Sequence, residues 1–339
     1  MPKPKRRRWV KVLITLGIVV AVCAGLVVGG SLLLAARYES RVERSDILRD
    51  VPRPTPPADQ PEGPQPLNFL LLGSDSRSPD PRPIADPNGD RSDTIMIIHI
   101  NAARTDAFIF SIPRDSYVYV PPAGRWPGGN NKINAAMSFG GAAHAALTVY
   151  ELTKIPLDGA FVVNFGAVNR MVDVVGSIEV CLPYTVNSSF RRGTTWSQGC
   201  HNMDADEVEV FVRERYGVPG GDFGRIHNQQ LVVQALAKKI ASTGWLTNPL
   251  DLDRLITVAA ESVTVDQDTN LRQLILDLKD IDPNRMSFAT VPWTRTMTTD
   301  AGSSVELDMA AARELFEAVI NDETAEWLAA HPQGVPQSS

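Results

Sequence analysis

The chain has 339 residues, 43% of them hydrophobic, and it carries 33 Lys and Arg against 39 Asp and Glu. Residues 1–36 contain six basic side chains and no acidic one, so residues 37–339 have a formal net charge of −12. A body this acidic excludes a protein that holds duplex nucleic acid by charge alone, since phosphate binding needs a basic surface. Three cysteines are too few for a small disulfide-framework protein.

An uncharged run of 25 residues, at 12–36, follows the amino-terminal basic cluster. About 20 apolar residues suffice to cross the hydrocarbon core of a bilayer, and flanking basic residues stay on the cytoplasmic side. A cleaved signal peptide would have a shorter apolar region, of about 7–15 residues. The sequence therefore predicts a cytoplasmic tail at 1–11, an uncleaved transmembrane helix at 12–36, and a remaining chain that lies outside the cell membrane.

The next segment, residues 37–66, is predicted to be a spacer. It begins highly charged, and the stretch 50–66 holds seven prolines in 17 residues. Such a Pro-rich stretch is a semi-rigid linker that does not fold by itself. The folded, catalytic domain is therefore expected at 67–330, followed by a polar tail at 331–339.

Hydrophobic patterning predicts the elements of this domain. Strands are expected at 67–73, 94–100, 107–112, 160–164, 177–182 and 285–291, with a hairpin turn at 101–106. Helices are expected at 135–153, 165–175, 203–216, 222–242, 249–262, 270–280 and 307–320. Asp204 and Glu207 are spaced like a capping box at the start of the third helix. The mixture predicts a single α/β domain of about 260 residues, with three layers in which helices flank a central mixed β-sheet.

Two of the three cysteines, Cys181 and Cys200, bracket a segment rich in Ser, Thr, Arg and Gly. In an oxidising compartment a disulfide would pin this loop. The other interpretation is a pair of free, buried thiols. The residues alone leave both open.

Polar residues follow or precede the first three predicted strands. Asp75 follows the first, Arg91 and Asp93 precede the second, and Arg114 follows the third. Neighbouring strands would bring these groups together, with carboxylates suited to Mg²⁺ and guanidinium forks suited to phosphate. The alternative is that they are ordinary turn aspartates and surface arginines.

A second cluster surrounds the start of the helix predicted at 222–242. Its members are Arg213, Arg215, Asp222, Arg225 and Gln229. The last three are spaced i, i+3 and i+7, so they share one helical face near an amino terminus, where backbone N–H groups and the helix dipole favour an anion. This pattern indicates a phosphate or pyrophosphate site. A structural salt-bridge network that includes Glu214 is the competing interpretation.

Six motifs occur in order after the predicted membrane helix: LLGSDSR, RSDTIMI, SIPRDSYV, NKINAA, VRERY and GDFGRIHNQQ. The series spans residues 68–240 and resembles the LytR–CpsA–Psr family. The resemblance implies a membrane-anchored enzyme of the bacterial envelope, with a mixed sheet between helices and an apolar tunnel for a prenyl chain. Such an enzyme transfers a glycopolymer from a polyprenyl-pyrophosphate carrier to peptidoglycan through a phosphodiester. The implied partners are the lipid-linked glycopolymer, peptidoglycan and the lipid bilayer.

The resemblance also implies roles for particular residues. It assigns Asp75 and Asp93 to a Mg²⁺ (or Mn²⁺) site. The residues that it assigns to the pyrophosphate are Arg91, Arg114, Lys132, Arg213, Arg215, Arg225 and Gln229. The residues that it points to for catalysis are Asp93, Arg114, Asp222 and Arg225. Pairing of Cys181 with Cys200 resembles some actinobacterial members. One departure is Asn228, where the family often has Arg, which weakens one phosphate contact or shifts it to the Asn.

The implied mechanism is charge neutralisation at a transferring phosphoryl group. Mg²⁺ and the arginines stabilise the transition state, and a carboxylate, Asp93 or Asp222, accepts the proton of the attacking sugar hydroxyl. The sequence does not choose between these carboxylates. Two other functions stay open: a hydrolase that cleaves polyprenyl pyrophosphates with water, and a non-enzymatic envelope regulator that binds polyprenyl phosphates.

Overall fold

The computed structural model describes residues 42–52, 63–74, 92–242, 263–271 and 285–331, and single positions between 251 and 281. The predicted membrane helix at 12–36 lies outside these ranges, as do Asp75, Arg91 and most of the helices expected at 249–262 and 270–280. No helix within the described part of the chain has both the length and the apolar character needed to cross a bilayer.

Six strands come first in the described chain, and the remaining strands are interspersed with six helices. The strands are β1 (Glu43–Ser45), β2 (Leu67–Ser74), β3 (Ser92–Ile100), β4 (Ala107–Ser111), β5 (Tyr117–Val120), β6 (Gly129–Lys132), β7 (Gly159–Asn164), β8 (Ile178–Leu182), β9 (Val186–Asn187), β10 (Thr195–Trp196), β11 (Gly199–Met203), β12 (Val263–Asp266), β13 (Met286–Thr290), β14 (Trp293–Thr299) and β15 (Gly302–Leu307). The helices are α1 (Ala135–Thr153), α2 (Phe165–Val175), α3 (Ala205–Arg213), α4 (Asp222–Ser242), α5 (Met309–Ile320) and α6 (Thr324–Ala330).

A mixed sheet of seven described strands forms the centre of the fold, in the order β1-β12-β7-β2-β3-β4-β13. Strands β2 and β7 are parallel, as are β4 and β13, and β3 runs antiparallel between β2 and β4. Strands β2, β4, β7 and β13 therefore point the same way, and their carboxyl ends meet at one edge of the sheet. Ligands of open α/β sheets bind outside such an edge.

The predicted hairpin between the second and third apolar segments is confirmed. Its turn is closed by Asn101, whose Oδ1 accepts hydrogen bonds from the backbone N–H groups of Thr105 and Asp106 at 2.9 and 3.1 Å. Arg104 takes a left-handed conformation, with φ of 57°. An Asx-type turn of this kind is the reason that the polar stretch 101–106 reverses the chain.

The chain joins the fold earlier than the predicted boundary at residue 67. Glu43–Ser45 pairs in parallel with β12, inside the stretch that was expected to be spacer. Ile47, Leu48 and Val51 are buried in the main core, and the Leu48 N–H donates to Asp266 at 2.9 Å. These apolar residues are too few, and too interspersed with charged residues, to show a helical or strand period in the sequence. Only the pairing with β12 shows that this segment belongs to the folded domain.

Three predicted helices, at 135–153, 165–175 and 222–242, have the same bounds in the structure, but the first is broken by a kink at Gly140 and Gly141, whose backbone is not helical. The capping box at Asp204 and Glu207 is also confirmed, and α3 is shorter than the prediction at both ends. The last long helix begins at Met309 because Leu307 ends β15 and Asp308 caps the helix, accepting from the N–H groups of the next turn.

Two hydrophobic cores hold the described domain together. The larger one packs the central sheet with α1, α5 and α6. The second one joins α2, α3 and α4 to the antiparallel pair β8–β11 and to Trp196. A disulfide links Cys181 on β8 to Cys200 on β11, which are directly opposite one another in this pair. The disulfide interpretation of the two cysteines is therefore the one that the structure supports.

Candidate anion-binding site

The site begins where β4 ends at the carboxyl edge of the sheet. Arg114 and Asp115 follow this strand, and the β5–β6 hairpin folds back over them. The N–H of Asn134 donates to the carbonyl of Arg114 at 3.1 Å. Lys132, the last residue of β6, thereby lies beside Asp115, with Nζ 3.2 Å from Oδ1. A local reversal of the chain thus brings a lysine next to the arginine that ends the strand.

An open cavity of about 470 Å³, with mainly charged and polar residues around it, lies at this edge of the sheet. It is lined by Arg114, Asp115, Lys132, Asn134, Arg215, Tyr216, Gly221, Asp222 and Ser303. Two arginines and a lysine therefore face one cavity in a domain that is strongly acidic as a whole. Fixed cationic groups that share a partly enclosed space attract anions far more strongly than dispersed surface charges do.

The start of α4 forms one wall of this cavity. Gly220 and Gly221 precede the helix with φ of 76° and 60°, a left-handed turn that favours glycine. Asp222 opens the helix, and its Oδ1 lies 2.9 Å from Nη2 of Arg225 and 3.5 Å from Nη2 of Arg114. The dipole of a 21-residue helix favours negative charge at this end, where the N–H groups of Phe223 and Arg225 already donate to the carbonyls of Gly220 and Gly221 at 3.2 and 3.1 Å.

Buried glutamines fix α4 against the sheet. Gln229 accepts a hydrogen bond from the Thr94 hydroxyl at 3.0 Å, and Gln230 donates to the Ser111 hydroxyl at 2.9 Å. Thr94 lies at the start of β3 and Ser111 at the end of β4. The glutamine pair of the GDFGRIHNQQ motif thereby sets the position of the helix start over both strands. Gln229 was predicted to bind pyrophosphate. In this structure its side chain instead contacts Thr94 and helps to position α4.

The two arginines of the VRERY motif differ in environment. Arg215 lines the cavity, whereas Nη1 of Arg213 lies 2.6 Å from Oε1 of Glu209 on the exposed side of α3. Arg213 is not among the described residues that line the cavity. Residues three to four apart on a helix form such surface pairs. The structure therefore brings one of the two predicted arginines to the site.

Glu214, between these arginines, is fully buried and structural. Its carboxylate accepts hydrogen bonds from the N–H and hydroxyl of Ser189, both at 2.6 Å, and from the N–H of Gly217 at 3.1 Å. Burial acts to raise the pKa of Glu214, but these hydrogen bonds outweigh it and lower the pKa below its ordinary value. The alternative salt-bridge network is formed in part, because Asp222 pairs with arginines while Glu214 binds a neighbouring loop.

Asn228, the departure from the family pattern, does not face the cavity. It is buried, and its amide donates to the Phe211 carbonyl at 3.3 Å. Its Oδ1 accepts from the Tyr184 hydroxyl at 3.1 Å. Burial raises the pKa of Tyr184 to about 12, so this hydroxyl stays protonated and remains a donor. Asn228 therefore joins α4 to α3 and the second core.

The predicted metal ligands are not described by the structure. Asp75 and Arg91 lie outside the described ranges, and Asp93 is placed only by its backbone, as the second residue of β3. Asp115 and Asp222 both lie against cationic groups. No group of three or more possible metal ligands occurs among the described residues.

Several cavity residues had no assigned role in the sequence. Asp115 lies in the SIPRDSYV motif directly after Arg114, and Asn134 lies in the NKINAA motif after Lys132. Their positions in these motifs could have marked them as candidate site residues. Tyr216 ends the VRERY motif. Ser303 comes from the β14–β15 hairpin, nearly 190 residues beyond Arg114 in the chain, and no local pattern marks it.

The mixed sheet, the glycine turn into α4 and the convergent arginines define an α/β protein with a cavity lined by cationic side chains at the carboxyl edge of its sheet. The profile of the LytR_cpsA_psr family matches residues 35–320, and the chain belongs to this family.

Relatives with curated names are envelope proteins. The chain is 28% identical over 294 residues to the cell wall biosynthesis protein LcpA of Corynebacterium glutamicum, covering 75% of this chain and 56% of LcpA. It is 33% identical over 186 residues to the polyisoprenyl-teichoic acid–peptidoglycan teichoic acid transferase TagU of Bacillus mycoides, covering 54% of this chain and 56% of TagU. The chain thus spans just over half the length of these relatives.

The fold is also that of a solved structure, TagT bound to LIIa-WTA. The TM-score is 0.61 at 21% identity, over 81% of this chain and 98% of TagT. At this level of identity the similarity shows a shared fold.

Proposed function

We propose that this protein is a membrane-anchored phosphotransferase that moves a glycopolymer from a polyprenyl-pyrophosphate carrier to peptidoglycan. The observation that carries the proposal is the cavity in which Arg114, Lys132 and Arg215 converge beside the start of α4. This arrangement suits a diphosphate, whose charge needs several fixed cations. Membership of the family and the named transferase activity of TagU support the same reaction.

The reaction consists of one phosphoryl transfer. A hydroxyl oxygen of peptidoglycan attacks the phosphorus next to the glycopolymer, and the bond from that phosphorus to the bridging oxygen breaks. Polyprenyl phosphate leaves, and the new bond is a phosphodiester. The proton of the attacking hydroxyl goes to a carboxylate, for which Asp93 and Asp222 are the two candidates.

The arginines and the lysine act by neutralising the negative charge of the diphosphate. Arg114, Lys132 and Arg215 line the cavity and bind the diphosphate oxygens, while Arg225 lies behind them, 5% exposed, and pairs with Asp222. Because these groups are fixed before substrate arrives, they stabilise developing charge without reorganising. The other members of the predicted pyrophosphate set are Arg91, Arg213 and Gln229. Gln229 accepts a hydrogen bond from Thr94, and Arg213 would have to leave Glu209 to reach the diphosphate.

A divalent cation is part of the proposal. Asp75 and Asp93 carry hard oxygen ligands, which suit Mg²⁺ or Mn²⁺. Asp93 enters β3 beside Thr94, whose hydroxyl contacts α4, so its backbone lies at the same edge of the sheet as the cavity. The bound metal would supply charge neutralisation at the diphosphate. Asp115 and Asp222 are less suited as ligands because each already faces a lysine or an arginine.

The cellular setting is proposed on the same basis. A helix at 12–36 would hold the protein in the cell membrane with its amino terminus inside and its catalytic domain outside. The prenyl tail of the carrier would enter an apolar tunnel in a three-layer domain, so the bilayer, the lipid-linked glycopolymer and peptidoglycan all become partners.

The test is a transfer assay with the full-length protein in detergent. Lipid-linked glycopolymer and glycopolymer-free peptidoglycan are supplied with Mg²⁺, and wall-linked polymer is measured. We expect a wall-linked product that falls at least about 100-fold with Arg114→Ala. The matched control is Arg295→Ala, which removes an exposed arginine paired with Glu306.

Two outcomes would overturn the proposed transfer. Release of free phosphorylated glycan without wall-linked product, while the acceptor is present, would identify a hydrolase. Binding of the lipid-linked polymer with no turnover under any metal condition would identify a non-enzymatic binding protein.

A further inference from the structure

One aromatic side chain at the cavity is unusually exposed. Tyr216 is 73% exposed, although it lines the same cavity as Arg114 and Asp222. The guanidinium of Arg215 lies 4.7 Å from the centre of its ring and also donates to its hydroxyl. One side of the ring is therefore held by Arg215, while most of its surface stays open to solvent.

The backbone beside Tyr216 is packed against the β9–β10 hairpin. Asn187 donates through its N–H to the carbonyl of Gly217 at 3.0 Å, and Ser189 binds the buried Glu214 through two hydrogen bonds. A side chain at Gly217 would overlap the Asn187 carbonyl, since an added Cβ would lie 1.5 Å from its oxygen. The hairpin is thus fixed to the backbone on both sides of Tyr216, which itself lines the cavity.

The tip of this hairpin carries a second exposed aromatic ring. Phe190 is 59% exposed, and it is followed by Arg191 and Arg192, which are both exposed. Burial of an aromatic side chain stabilises a fold, so two exposed rings on segments joined by hydrogen bonds leave an apolar surface that a ligand can cover. We call the surface formed by Tyr216, Phe190, Arg191 and Arg192 the rim.

The rim matches the chemistry of a glycan strand. The C–H face of a sugar ring packs on an aromatic ring through dispersion and weak C–H contacts. Peptidoglycan adds carboxylates on its peptide stems, which exposed arginines attract even when the surrounding domain is acidic. Flat aromatic rings together with exposed cations therefore suit a polymer that offers sugars and carboxylates together.

We propose that the rim is the subsite for the peptidoglycan acceptor, with Tyr216 as the stacking platform for the sugar unit next to the one that carries the attacking hydroxyl. This inference rests on the proposed function, which supplies the acceptor. We assign the acceptor because the donor is held inside the cavity through its diphosphate, whereas a long acceptor strand needs contacts that continue outside the cavity.

The experiment measures two affinities of the full-length protein in detergent. Glycopolymer-free peptidoglycan sacculi are used in cosedimentation, and inorganic pyrophosphate is used in calorimetry. Tyr216→Ala is expected to weaken sacculus binding about fivefold to tenfold, a loss of roughly 1.0–1.4 kcal/mol, which lies within the range for an aromatic contact. Tyr216→Phe keeps the ring and is expected to stay within about twofold of wild type, and Phe190→Ala to lose about twofold to fivefold.

The matched control is Tyr119→Ala, which removes a tyrosine of similar exposure, 56%, on a separate groove. It should leave sacculus binding unchanged. The inference is overturned if Tyr216→Ala binds sacculi like wild type, or loses pyrophosphate affinity by the same factor. Weaker binding of the lipid-linked donor with unchanged sacculus binding would also overturn it. Wild-type protein that binds sacculi through Tyr216 but transfers nothing would contradict the proposed function and leave the subsite standing.

Discussion

Asp222 and Arg225 lie one turn apart at the start of α4, with Oδ1 of the carboxylate 2.9 Å from Nη2 of the guanidinium. The same oxygen lies 3.5 Å from Nη2 of Arg114, which follows β4. One carboxylate therefore orients two arginines that come from different parts of the chain. A preformed arrangement of this kind lowers the reorganisation needed when an anion binds.

Asp222→Asn should separate binding from catalysis. The amide keeps the shape of the side chain and removes the negative charge that competes with a bound anion. We expect the affinity for inorganic pyrophosphate to stay equal or rise, while kcat for polymer transfer falls by about 10²–10⁴-fold if the carboxylate accepts the proton. Calorimetry and the transfer assay measure the two quantities. An unchanged kcat would leave Asp93 as the base.

Arg215→Ala and Arg213→Ala form a matched pair within one motif. Arg215 lines the cavity, whereas Arg213 pairs with Glu209 on the surface of α3. We expect Arg215→Ala to weaken pyrophosphate binding by about 10-fold or more, because charge-assisted hydrogen bonds contribute roughly 1.5–3 kcal/mol. Arg213→Ala should change it by less than about twofold, as expected for an exposed ion pair. Equal losses in both variants would mean that Arg213 turns into the cavity when the anion binds.

The disulfide is expected to stabilise the domain more than it assists the reaction. Cys181 and Cys200 are 19 residues apart and lie opposite one another on β8 and β11. Replacing both with Ala should lower the free energy of unfolding by about 3 kcal/mol, the value typical of a loop of this length. Denaturant unfolding without reductant measures this loss, and Cys23→Ala is the control. A double variant as stable as wild type would contradict the assignment.

Glu214 should make stability depend on pH. Its pKa is lowered in the folded protein by hydrogen bonds from Ser189 and Gly217, against an ordinary value of 4.5. Its contribution is therefore present above about pH 4.5 and is lost as pH falls through the lowered pKa. The stability difference between wild type and Glu214→Gln should be largest at neutral pH and shrink below about pH 4.5. A difference that stays constant down to pH 3 would show that this carboxylate does not titrate with unfolding.

Local sequence patterns were sufficient to predict three of the long helices and the first three strands of the predicted domain. The helices α1, α2 and α4 have the predicted bounds, and β2, β3 and β4 are neighbours as expected. The hairpins β5–β6 and β14–β15 were not predicted, because segments such as GNNK and WTRTMTT lack an alternating apolar face. Both lie outside the main sheet, yet each contributes a residue to the cavity, Lys132 and Ser303.

The sequence by itself determined the charge division of this protein, six basic residues ahead of an acidic body, and the ordered motifs that carry Arg114, Asp222 and Arg225. These features are local, so they can be identified from the composition of the chain and the spacing of its residues. The tertiary structure decided which charged groups share the cavity, placing Arg215 in it and Arg213 outside, and burying Asn228. Which side chains reach the cavity depends on how α3 and α4 are rotated about their axes where they pack on the sheet. The strands of that sheet are far apart in the chain, so no local sequence pattern encodes this rotation.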